Sequence, residues 1–161
     1  MSKAQQQVGE SAWGRAVRDA EKEVFHCITG SWDMSMGCEY YRDDYKSMEQ
    51  YAQMQRDKML RCMELLEAAQ EGLSHARKAN DQSTLNDSSE ERAARAFSLK
   101  VWKTEVEERQ VDLLRNTPHV EGGKPFTESH IDYAKRSMSQ LDRALERLAL
   151  ARAGLKRVNN G

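Results

Sequence analysis

The amino-acid sequence predicts an all-α protein, an elongated antiparallel helical bundle with long coiled-coil-like helices. Three observations carry this expectation. Apolar residues recur at alternating steps of three and four over long stretches, which marks one face of an α-helix. Only 2 prolines occur in 161 residues, and both, Pro118 and Pro125, fall in one short window. Charged residues make up 32 % of the chain, apolar residues 39 % and aromatics 7 %, a composition suited to long solvated helices and poor for β-structure or a membrane span. The length fits one helical domain over residues 1–161. A net charge of only -1 combined with regular apolar spacing leaves the signature of disorder incomplete.

The first helix is expected over 11–28, where Trp13, Val17, Ala20, Val24 and Cys27 form a stripe. Thr29-Gly30-Ser31 interrupts it. A second helix is expected over 33–79, its stripe running through Met34, Cys38, Tyr41, Tyr45, Met48, Ala52, Gln55, Met59, Cys62, Leu66, Ala69, Leu73 and Ala76. The two stripes share a register if Ser31 is a core position, so one continuous helix and a broken one both remain open. Gly30 and Gly37, each costing about 1 kcal/mol inside a helix, favour the break.

Residues 80–87 have the composition of a loop, and Ser88 with Glu91 three residues later forms a capping box. The third helix, over 89–115, carries Ala94, Phe97, Val101, Thr104 and Val111 on one side and Trp102, Val106 and Leu113 on another. A helix apolar on two sides is expected to lie between neighbours. The prolines and Gly122-Gly123 make 116–126 a loop. Thr127 is the expected N-cap of the fourth helix, over 127–158, with Phe126 and Ile131 as a hydrophobic staple. Its stripe is Ile131, Ala134, Met138, Leu141, Leu145, Leu148, Arg152 and Leu155, widened by Ala144, Ala151 and Val158. Arg152 is the polar exception, read as a long stem reaching water.

The chain starts without the apolar stretch of a secretory signal, and no run of about 18 apolar residues occurs. Cys27, Cys38 and Cys62 show no C-x-x-C spacing, which points to a reducing compartment and a cytoplasmic location. With 25 basic and 26 acidic residues, the balance argues against a nucleic-acid binder. From Thr127 onward 7 basic residues face 4 acidic ones, so Arg143, Arg147, Lys156 and Arg157 define a nucleic-acid alternative. Glu23 and His26 form a Glu-x-x-His pair, the ligand spacing of di-iron bundles, and define a metal-enzyme alternative. Such sites need the pair twice, and it occurs once. No nucleophile elbow or phosphate-binding glycine loop is present. No catalytic residue, metal ligand, cofactor or small-molecule substrate is therefore assigned.

The densest unusual feature is aromatic and sulfur-rich, on two faces of the second helix and just before it. Methionine adapts to irregular partners and tyrosine suits half-wet interfaces. Trp32, Met36, Tyr40, Tyr41, Tyr45, Tyr51 and Met54 are the expected partner-binding residues. The leading expectation is a non-enzymatic protein-protein interaction protein: an adaptor, assembly component or regulatory domain that forms homo-oligomers through leftover stripe.

The order Leu66-Glu67, Glu71, Leu73-Ser74, Asn80, Leu85, Asp87, Glu90, Arg92, Ala96-Phe97 resembles the junction of the second and third helices in SNARE N-terminal domains of the Golgi and endosomal syntaxin type. Leu141-Asp142-Arg143-Ala144-Leu145 resembles the segment ahead of the SNARE core in those proteins. Together these stretches cover about half of the chain. The resemblance implies a three-helix bundle that binds trafficking partners and regulates SNARE assembly. The sequence departs from that family in lacking a complete heptad array with a central Gln, and its second helix is longer.

Overall fold

The computed structural model describes residues 1–30, 32, 47–82, 86–120 and 125–161. Among the described residues there are four α-helices and no strand: α1 (Lys3–Thr29), α2 (Met48–Asp81), α3 (Ser89–Asn116) and α4 (Ser129–Asn160). The all-α class expected from periodicity is the class observed. The chain divides into two compact units. One comprises Met1–Asp57 with Asp132–Gly161, the other Lys58–Ile131. The division arises because α2 shares its apolar stripe between two sets of partners.

In the first unit, α1 and α4 run in opposite directions. Gly9 lies near Val158 and Trp13 on Gly154, while Glu23 pairs with Arg147. Ala20, Val24, Phe25 and Ile28 of α1, Met48 and Ala52 of α2, and Leu141, Ala144, Leu148 and Ala151 of α4 form one buried cluster. The helix α1 starts at Lys3, ahead of the expected Ser11, because Ser2 builds a capping box. Its hydroxyl accepts the Gln5 N–H at 3.2 Å, and its own N–H donates to Gln5 Oε1 at 2.8 Å. The end of α1 decides between one helix and two. Gly30 adopts φ 79° and donates its N–H to the His26 carbonyl at 2.8 Å. That left-handed cap terminates the helix, and glycine takes it without a Cβ penalty. A continuous helix through Trp13 to Ala76 is therefore excluded.

Of the helix expected over 33–79, residues 33–46 lie outside the described residues. Ser47 is a bend, and its hydroxyl accepts the Gln50 N–H at 3.3 Å, so α2 begins at Met48. The face α4 turns inward comprises Ala134, Leu141, Ala144, Leu148, Ala151 and Gly154. This face is rotated from the expected stripe, because small residues at 144, 151 and 154 allow close approach where Leu145 and Leu155 stay half-buried. Arg152 sits at its edge, pairing with Glu49 at 2.6 Å and reaching Glu21 at 3.9 Å.

In the second unit, the rest of α2 and α3 also run in opposite directions, with Trp102 laid on Gly72. Met59, Leu66, Ala69, Leu73 and Ala76 of α2 and Val106 and Leu113 of α3 are buried. At the start of α3 the Ser88 hydroxyl accepts the Glu91 N–H at 3.1 Å, and Glu91 Oε2 accepts the Ser88 N–H at 3.3 Å. At its end Thr117 is buried and donates its hydroxyl to the Leu113 carbonyl at 2.7 Å. Ahead of α4, the Thr127 N–H donates to His130 Nδ1 at 2.8 Å and its carbonyl accepts the His130 N–H at 2.9 Å. An imidazole thus takes the place of the glutamate in a capping box, and α4 begins two residues after Thr127, at Ser129. The Phe126 ring stands against His130, with centroids 5.6 Å apart.

The expectation that α3 lies between neighbours is corrected. Val106 and Leu113 are buried, but Phe97, Val101 and Val111 remain 68 %, 47 % and 45 % exposed. These three occupy the pole of the helix opposite Val106, so α2 covers only the Val106 side.

Candidate functional site

Two surface features stand out, one in each unit. In the first, the left-handed turn at Gly30 leads the chain to Trp32, which is 59 % exposed. Its ring lies flat on His26, with centroids 4.0 Å apart and planes 6° apart. A cavity of about 360 Å³ opens beside this stack, between Glu23, His26, Cys27 and Trp32 on one side and Gln140, Arg143 and Arg147 of α4 on the other. The Glu23 carboxylate is held by Arg147. Arg143 donates Nε to the Ser139 carbonyl at 3.3 Å. Burial pushes the Cys27 thiol up from its ordinary value, the Glu23 carboxylate adds to the rise, and Arg147 partly offsets it. Such a thiol stays protonated and is a poor nucleophile.

In the second unit, the outer row of α3 comprises Phe97, Val101, Thr104, Glu108, Val111 and Arg115, all exposed and spaced by alternating fours and threes. A shallow groove of about 510 Å³ runs along its C-terminal half, lined by Thr104, Glu107, Glu108, Val111, Asp112 and Arg115. Arg109 holds Glu105 at 2.8 Å and reaches Asp112 at 3.8 Å, drawing those carboxylates toward the covered side. On that side burial raises the Cys62 thiol, Asp112 raises it further, and Arg109, Lys58 and a hydrogen bond with Asn116 pull it down.

Of the seven residues expected to bind a partner, Met36, Tyr40, Tyr41 and Tyr45 lie outside the described residues. Tyr51 is half-buried against the core of the first unit, Met54 is half-buried, and Trp32 is the one of the described three that is mostly exposed. Glu23 and His26, the metal-ligand alternative, face the same cavity, with Glu23 engaged by a guanidinium. Among the described residues, no three His, Cys, Asp or Glu side chains gather as a metal site. Of the nucleic-acid alternative, Arg143 and Arg147 line the cavity, whereas Lys156 lies about 13 Å farther along the helix axis from Arg147 and Arg157 donates Nε to its own helix at Ala153. The sequence pattern places Phe97, Val101 and Val111 on an apolar side of α3 without marking that side as open. The available signal was the apolar excess on α3, which carries two stripes where one suffices for a single neighbour.

Comparison with protein-family models, curated proteins and solved structures gives no match. No described helix is long and apolar enough to cross a membrane. The fold and its surfaces define an all-α helical protein whose open features are an aromatic stack beside arginines and an apolar helix face.

Proposed function

We propose that this protein is a non-enzymatic interaction protein, an adaptor, assembly component or regulatory domain that offers helical surfaces to protein partners. The observation that carries the reading is the row Phe97, Val101 and Val111 on the outer pole of α3. Large apolar side chains aligned on one exposed face gain roughly 1.5–3 kcal/mol each when fully covered, and aligned patches of this kind mark protein contacts. Trp32 adds a second exposed aromatic of the type enriched at interface hot spots. The resemblance to SNARE N-terminal domains supports a trafficking form of this reading, in which the partner is itself a helical trafficking protein.

The test is affinity capture and sedimentation of the full chain beside a Phe97→Ser/Val101→Ser variant. The full chain is expected to retain a protein partner or a second copy, and the variant to lose it. A full chain that is strictly monomeric and retains no protein overturns the reading. Stoichiometric iron, manganese or zinc on elemental analysis, or salt-dependent binding to nucleic acid, would replace it with the corresponding alternative.

A further inference from the structure

The outer row of α3 is complementary to itself, and we infer that it is the surface on which two copies of this chain associate, α3 against α3 in antiparallel order, crossing near Thr104. The inference rests on the interaction reading above and specifies its partner as a second copy. Shape supplies the first argument. Phe97 projects from one end of the row, 68 % exposed, while the groove of about 510 Å³ surrounds Val111 at the other end. Phe97 and Val111 lie on opposite sides of Thr104, each about two helical turns or roughly 10 Å away. An antiparallel crossing centred there seats the Phe97 ring of each copy in the groove of the other. A parallel pairing sets ring against ring and leaves both grooves empty.

Charge supplies the second argument. Lys100 flanks the Phe97 half of the row, whereas Glu107 and Glu108 flank the Val111 half, and all three are exposed. Antiparallel order brings Lys100 of each copy to Glu107 and Glu108 of the other, twice by symmetry. It also brings Glu90, near one end, toward Arg115 at the other. Parallel order sets Glu108 against Glu108 and Arg115 against Arg115, and like charges so placed disfavour it. The apolar row spans roughly 21 Å from Phe97 to Val111. A contact of that length belongs to the small, reversible class of interfaces.

Sedimentation velocity of the full chain from about 1 µM to about 1 mM covers the range in which such an interface dissociates. The expected result is a reversible monomer–dimer equilibrium. Phe97→Ser, Lys100→Glu, and Glu107→Lys with Glu108→Lys are each expected to raise the dissociation constant at least about tenfold. The triple variant Lys100→Glu/Glu107→Lys/Glu108→Lys, which exchanges the charges within one chain, is expected to return it to within about threefold of the original. Circular dichroism, unchanged in every variant, separates lost association from lost folding. A chain that stays monomeric throughout overturns the inference, as does a dimer indifferent to Phe97→Ser. A triple variant without rescue also overturns it, as do single charge reversals that leave the dissociation constant unchanged, the result parallel order predicts because like still faces like. A monomer that still captures a different protein through Phe97 sinks this inference and leaves the interaction reading standing.

Discussion

The unit formed by residues 1–57 with 132–161 and the unit formed by residues 58–131 use the same materials differently. Each pairs oppositely directed helices, and each lays a tryptophan flat on a glycine: Trp13 on Gly154 in the first, Trp102 on Gly72 in the second. In the first unit three helices converge on one cluster of ten buried residues. Glu23–Arg147, Glu49–Arg152 and Arg56–Asp142 then tie α1 and α2 to α4. In the second, α3 buries Val106 and Leu113 and leaves its opposite face in water. A helix that meets partners on one side only keeps half of its apolar surface exposed. The first unit buries its stripes in its own core, whereas the second leaves one of α3 exposed.

Core truncations should break the comparison most forcefully. Phe25→Ala removes the largest side chain from the three-helix cluster and is expected to cost about 4 kcal/mol, and Leu113→Ala in the second unit about 3 kcal/mol. Denaturant unfolding gives the totals, and hydrogen exchange resolved along the chain shows which unit loosens. Equal loss of protection in both units from either variant would show that their stabilities are not separable. The glycines come next. A Cβ at Gly154 or Gly72 would overlap the Trp13 or Trp102 indole that covers it, so alanine there forces the ring aside. Overpacking of this kind costs about 1–3 kcal/mol, against a helix-propensity gain of about 1 kcal/mol. Each Gly→Ala variant is expected to be net destabilising. In a Trp13→Leu or Trp102→Leu background, respectively, the same change should turn neutral or stabilising, and a double-mutant cycle by thermal unfolding measures this. The capping serines, one in each unit, should have the smallest effect. Ser88→Ala and Ser2→Ala, each removing the serine of a reciprocal capping box, are each expected to cost about 1 kcal/mol. Thermal unfolding followed by circular dichroism measures both, and a variant without loss would show that its box contributes nothing to stability.

Much of this molecule can be read from neighbouring residues alone. The Ser88-x-x-Glu91 pattern reappears as two reciprocal hydrogen bonds, and the stripe from Ala52 through Met59, Leu66, Ala69, Leu73 and Ala76 is the face that α2 buries. Ser2-Lys3-Ala4-Gln5, where α1 starts, carries the same kind of pattern with glutamine in place of glutamate. The aromatic and sulfur-rich signal was only partly informative about surface. Of its members, Tyr51 serves the core while Trp32 stays exposed, and both residue types suit either role.

Helicity and the end of α3 ahead of Pro118 were determined by the sequence itself, because propensity and proline geometry act within one or two turns of chain. The tertiary structure alone decided which stripe of α3 is covered, how far α4 rotates toward its small residues, and where two tryptophans rest on glycines. Those outcomes depend on the number and shape of neighbours brought from distant parts of the chain. A periodic pattern states that a face is apolar and leaves open whether that face meets its own chain or another molecule.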